Sequence, residues 1–121
     1  MATILLVDDE REILELLELI VEEYGFQALT ARNGAAALTL ARQHKPSLVL
    51  TDLMMPVMDG YALVAAIQAD PVLQATPVVV MTAGIITDDR RTKLGPVQGV
   101  IAKPFLVEQI EALCDSVGKD G

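Results

Sequence analysis

Aromatic residues are nearly absent: no tryptophan, two tyrosines and two phenylalanines in 121 residues. The core must therefore be aliphatic, and hydrophobic residues at 52% supply enough Leu, Val, Ile, Ala and Met to build one. A single cysteine, Cys114, rules out an internal disulfide and agrees with a reducing compartment. There is no DxDxDG loop of the kind that cages calcium, and the single histidine, His44, falls in a helical stretch without a partner, which leaves zinc poorly supported. Bases are few, 9 against 17 acids, for a formal charge of −8. Such a surface repels phosphate backbones and argues against direct nucleic-acid binding; a partner with a basic face, or bound cations, suits it better. The N-terminus, MATILLVDDE, lacks a basic n-region and is not a signal peptide. No apolar run approaches the roughly 20 residues that cross a bilayer. A soluble, cytoplasmic protein with no membrane insertion is expected. The length fits a single domain, residues 1–121, and the tail GKDG is too short to be an output module.

What the chain does have is two alternating periodicities. Unbroken apolar runs at 3–7 (TILLV), 48–50, 78–81 and 99–102 read as parallel strands buried on both faces. A weaker strand is expected at 26–30, where Gln27 interrupts the pattern. Between them lie helical stretches. Residues 10–24 place Ile13, Leu17, Ile20, Val21 and Tyr24 on one stripe, with the glutamates largely outside it. Asn33 can cap a helix at 34–43, and Asp59 or Gly60 can begin one at 61–69 that Pro71 ends. A short charged helix is expected at 87–94. The last, at 106–117, would turn Ile110, Leu113, Cys114 and Val117 inward. Five β–α units with short links imply an α/β fold, a parallel sheet with helices on both faces.

The strand ends carry the chemistry. The segment SLVLTDLMMPVMDG places Asp52 where an apolar run stops. Strand one ends at Asp8 and Asp9, strand four at Thr82, and strand five at Lys103 and Pro104. A doubly wound sheet brings all these ends to one edge, where ligands bind. Three carboxylates, a hydroxyl and an amine then meet, and the repulsion among the acids calls for a cation. All-oxygen donors completed by water favour Mg²⁺. Mg²⁺ and Lys103 would neutralise phosphoryl oxygens while a carboxylate oxygen attacks in line, leaving an acyl phosphate on Asp52 that Thr82 could hydrogen-bond. Taken singly, each residue has a plainer reading. Asp8 and Asp9 can cap a helix, Asp52 and Thr82 can be turn residues, and Lys103 can be a solvated charge. Only their joint placement favours the site.

These residues closely resemble the receiver domain of two-component response regulators, in the style of the single-domain chemotaxis regulator. The resemblance runs through LLVDDE (5–10), DLMMPVMDG (52–60), VVVMTA (78–83) and AKPF (102–105), and spans nearly the whole chain. It implies the flavodoxin-like (βα)5 fold with strand order 2-1-3-4-5. It implies Asp52 as phosphoacceptor, with Mg²⁺ held by Asp9, Asp52 and the backbone carbonyl of Met54, and Asp8 acting mainly through water. Lys103 would bind phosphate ahead of a cis Lys103–Pro104 bond, and Thr82 would be the switch hydroxyl. It further implies a signalling role in a phosphorelay: phosphate arrives from a sensor histidine kinase or phosphotransfer protein and passes a signal to a downstream protein. A homodimer through helix four, strand five and helix five is also implied. Such a protein is no enzyme beyond its own aspartyl phosphorylation and dephosphorylation.

Two features depart from the pattern. Val100 stands where an aromatic residue usually couples the hydroxyl to the output face, and Gly95–Pro96 should keep helix four short. Two other functions compete. A degenerate receiver acting as a constitutive interaction module is argued against by the intact Asp8, Asp9, Asp52, Thr82 and Lys103 set, and kept alive by Val100. A haloacid-dehalogenase-type phosphatase would want a second acid two residues after its nucleophile, where this chain has Met54.

Overall fold

A computed structural model describes residues 2–84 and 88–117, apart from the side chains of Arg90 and Lys93. Strands and helices alternate strictly: β1 (Thr3–Val7), α1 (Arg11–Glu23), β2 (Gln27–Ala31), α2 (Gly34–His44), β3 (Leu48–Asp52), α3 (Gly60–Ala69), β4 (Val78–Thr82), α4 (Asp88–Leu94), β5 (Gly99–Ala102) and α5 (Val107–Val117). All five strands are parallel, in the order β2-β1-β3-β4-β5. The expected α/β fold is therefore observed.

Successive strand residues face opposite sides of the sheet, so each apolar run feeds two cores. Ile4, Leu6, Leu48, Leu50, Val79, Met81 and Ile101 pack under α1 and α5, against Leu14, Leu17, Ile20, Val21, Ile110 and Cys114. Leu5, Val7, Val49, Val78 and Val80 pack on the other face, against Ala37 and Ala41 of α2, Leu63, Val64 and Ile67 of α3, and Leu94 of α4. Helix starts follow from local hydrogen bonds. Asn33 accepts the Ala36 N–H at 2.8 Å and Asp59 accepts the Ala62 N–H at 2.9 Å, each a side chain satisfying an otherwise unpaired helix amide.

Small corrections follow from the neighbours. Strand β2 begins at Gln27, not at Phe26; Phe26 is buried beneath α1 just before the strand, and Gln27 is tolerated because β2 is an edge strand. Strands β3 and β4 run on to include Asp52 and Thr82. Helix α1 is not capped by Asp8 or Asp9: its N-cap is Glu10, with no side-chain cap bond. Helix α4 is short, as Gly95 and Pro96 suggest; Thr87 and the tail at 118–121 lie outside the described residues.

Candidate functional site: an acidic cleft bridged by Lys103

Strand register decides which side chains meet. Val7 lies beside Thr51, Asp52 beside Met81, and Thr82 beside Ala102. Asp8, Asp52, Thr82 and Lys103 thus stand along one edge of the sheet. The Lys103–Pro104 peptide is cis, and the Lys103 N–H donates to the Thr82 carbonyl at 2.7 Å, fixing where the lysine leaves β5.

From that anchor Lys103 Nζ reaches the acids. It donates to Asp8 Oδ2 at 2.7 Å, and lies 3.4 Å from Asp52 Oδ2 and 3.8 Å from Glu10 Oε1. Asp8 is fully buried and Asp52 is 5% exposed. Burial and the neighbouring Asp8 charge raise the Asp52 carboxyl above its ordinary range, and Lys103 only partly offsets them. Burial alone would lower the Lys103 ammonium; its hydrogen bond to Asp8 and the charges of Asp8 and Asp52 outweigh that, so it is raised. Asp52 thus stays short of positive charge.

Asp8, Asp9 and Glu10 each offer a carboxylate oxygen within 4.8 Å of the others. Asp52 is not in that trio and joins the site through Lys103. Glu10 was not singled out from the sequence; its place directly after Asp9, at the mouth of α1, is the signal that could have found it. Asp8 Oδ1 also accepts the Glu10 N–H at 2.9 Å, so the turn is locked to the acid it carries.

The loop after Asp52 is held as closely. The Leu53 N–H donates to the Met81 carbonyl, and the Gly60 N–H closes back on the Leu53 carbonyl at 2.9 Å. A Cβ on Gly60 would overlap the Asp52 carbonyl oxygen and lie 2.7 Å from Leu53 Cα, so only glycine lets α3 start this close to the acid. The Met54 backbone hydrogen-bonds Asp52, and the Met54 side chain is exposed. Thr82 is half-buried; its Oγ accepts the Gly84 N–H at 3.4 Å. Gly84 is exposed, and a Cβ there would meet no atom within 4 Å. Val100 is 37% exposed on β5.

The site opens beside a mostly apolar recess of about 450 Å³ lined by Glu10, Ile13, Leu16, Ala83, Lys103, Pro104 and Phe105. A larger recess, about 650 Å³, lies at the opposite end of the sheet around Lys45, Ser47, Thr76 and Gln98, and contains none of these acids. The cleft, by its chemistry, is the candidate site. Its all-oxygen donors fit a hard divalent cation completed by water, of which Mg²⁺ is the natural choice.

A five-stranded 2-1-3-4-5 sheet with paired acids and a lysine at its carboxyl edge defines a class, and comparison with known proteins agrees. The profile of the response regulator receiver domain matches residues 4–115, and the chain belongs to that family, the signalling domain of two-component systems. It is 30% identical to the polar-differentiation response regulator DivK of Brucella anthropi over 118 residues, covering 96% of both. It is 36% identical to the probable transcriptional regulator ycf27 of Porphyra purpurea, but spans 46% of that protein's length. The chemotaxis response regulator CheY4 of Vibrio cholerae superposes with a TM-score of 0.86 at 26% identity, over 98% of this chain and 99% of that one. The receiver domain of sensor histidine kinase PA1611 from Pseudomonas aeruginosa, with a magnesium ion in its active-site cleft, superposes at 0.85 with 25% identity over 95% of both. Among the described residues, no helix is long and apolar enough to cross a membrane.

Proposed function

We propose that this receiver domain is a phosphorylation-dependent switch whose acceptor is Asp52. The observation that supports it most is the Lys103 ammonium held between the buried Asp8 and the nearly buried Asp52. Asp9, Asp52 and the Met54 carbonyl would hold Mg²⁺, with Asp8 acting through water. Bound there, the ion supplies charge neutralisation for the phosphoryl oxygens.

An ionised Asp52 oxygen attacks the phosphorus of a phosphohistidine on a sensor kinase or phosphotransfer protein. The new P–O bond forms as the P–N bond breaks, and the imidazole leaves with the electron pair. Lys103 exchanges a carboxylate partner for a phosphoryl oxygen, and Thr82, whose Oγ accepts the Gly84 N–H, turns to donate its O–H to the phosphoryl group. Those two movements would alter the β4–α4 and β5–α5 surfaces, which a downstream protein reads. Val100 offers no aromatic ring to those movements. The protein catalyses only its own phosphorylation and dephosphorylation, and works in the cytoplasm.

Incubation with Mg²⁺ and acetyl phosphate should add the mass of one phosphoryl group, and Asp52→Asn should abolish the gain. Labelling that persists in Asp52→Asn, or turnover of general phosphomonoesters, refutes the proposal.

A further inference from the structure

The turn between β2 and α2 supplies none of the acids, yet it is bonded to both loops that do. On one side the Ala31 carbonyl accepts the Asp8 N–H at 3.1 Å, and Arg32 Nη2 donates to the Asp9 carbonyl at 2.9 Å. On the other side the Gly34 N–H donates to the Met58 carbonyl at 2.9 Å, in the loop that follows Asp52. The turn is itself fixed at both ends: Ala31 pairs with Val7 in the sheet, and Asn33 caps α2.

Contact at Gly34 is too close for any side chain. A Cβ would stand 2.5 Å from the Met58 carbonyl oxygen and 2.8 Å from Met58 Cγ, so the loop backbone itself would have to shift. Val57, the residue before Met58, sits at φ 71°, a conformation that β-branched residues rarely adopt. Local strain of this kind persists only where the surroundings hold it. Here the Met58 N–H donates to the Pro56 carbonyl at 2.8 Å and closes the turn about Val57, while the Gly34 N–H holds the Met58 carbonyl from α2.

We infer that residues 31–34 are a brace that sets the spacing between the Asp8–Asp9 loop and the Asp52–Met54 loop, with Arg32 and Gly34 as positioning residues for the cation and phosphoryl site. The inference rests on the proposed Mg²⁺-dependent function. Gly34 acts by letting α2 touch the acceptor loop, and Arg32 by tethering the Asp9 backbone from the same turn.

Calorimetric Mg²⁺ titration of the wild type, Gly34→Ala, Arg32→Ala and Arg32→Lys tests it, with the exposed Thr30→Ala as control and a thermal melt of each variant. Gly34→Ala should weaken Mg²⁺ binding by roughly tenfold, the scale on which groups behind metal ligands act. Arg32→Ala should show a smaller loss, Arg32→Lys should recover part of it, and Thr30→Ala should match the wild type. Acetyl-phosphate labelling of Gly34→Ala should be slow at low Mg²⁺ and recover at saturating Mg²⁺. Should Gly34→Ala not fold, the Arg32 pair decides. Wild-type affinity in the folded variants overturns the brace alone. A wild type that binds no Mg²⁺ overturns the underlying function, and the brace with it.

Discussion

Val57 holds a positive φ while its side chain is 86% exposed, so no packing compensates the backbone. The Met58 N–H closes a γ-turn on the Pro56 carbonyl, and glycine enters positive φ without a Cβ penalty, so Val57→Gly should stabilise the fold by up to about 1 kcal/mol in urea unfolding. A midpoint unchanged or lower would contradict the assignment of strain. Asp52 is unfavourable for a different reason. Its carboxyl is raised by burial first and by Asp8 second, so ionising it costs the folded state stability. That cost is absent below the ordinary carboxylate range and appears as pH rises through the raised value. Asp52→Asn should therefore melt higher than the wild type in Mg²⁺-free buffer at neutral pH, and the gap should close in acid. A variant that melts lower at neutral pH would show that Lys103 fully compensates the pair. Gly84 bears on the lifetime of the phosphorylated form. It leaves open space beside Thr82, so Gly84→Phe should slow phosphate loss by shielding the acyl phosphate from water. An unchanged half-life would reject that role.

Elements differ in how plainly their residues announce them. Strand β5 and the Asn33 cap follow directly from local sequence, because an apolar run and a capping side chain are both visible there. Helix α1 is harder: Leu14 is buried although it lies beside the expected stripe, and Leu16 and Leu19 are exposed although apolar. That helix carries more apolar residues than one face can bury, so pattern alone cannot choose the face. The acids and Lys103 were legible because parallel strands deliver their ends to one edge. The 31–34 brace was not, since most of its bonds run through the backbone of Ala31 and Gly34 and leave no side-chain signature. The α3 exit combines both kinds of signal. Pro71 pushes Asp70 into extended backbone, where its carboxylate takes Arg42 Nε at 3.0 Å and the Val72 N–H at 2.8 Å. The Arg42 hydrogen bond leads in holding the Asp70 carboxyl below its ordinary value. A depressed folded value means stability present above the unfolded pKa and lost as pH falls through the folded one. Asp70→Asn should thus lower the melting temperature at neutral pH but match the wild type in strong acid. A gap that persists in acid would trace the effect to packing instead.

At the scale of the whole molecule, the formal charge of −8 includes one dense cluster, where Asp8, Asp9 and Glu10 lie together and Asp8, Glu10 and Asp52 surround the Lys103 ammonium. Two effects of added salt must then be told apart. Screening weakens repulsion between exposed acids for any electrolyte, and depends on ionic strength alone. Occupancy of the cleft requires a divalent ion and stabilises by mass action, by about 2.7 kcal/mol at a hundred times its dissociation constant. Melting temperatures in MgCl₂ and in NaCl of matched ionic strength separate the two. The Mg²⁺ series should continue to rise with concentration where the NaCl series has levelled, and Asp9→Asn should bring the two together. Identical series in the wild type would mean that the acids are merely screened, and the cleft would lose its claim to a specific ion.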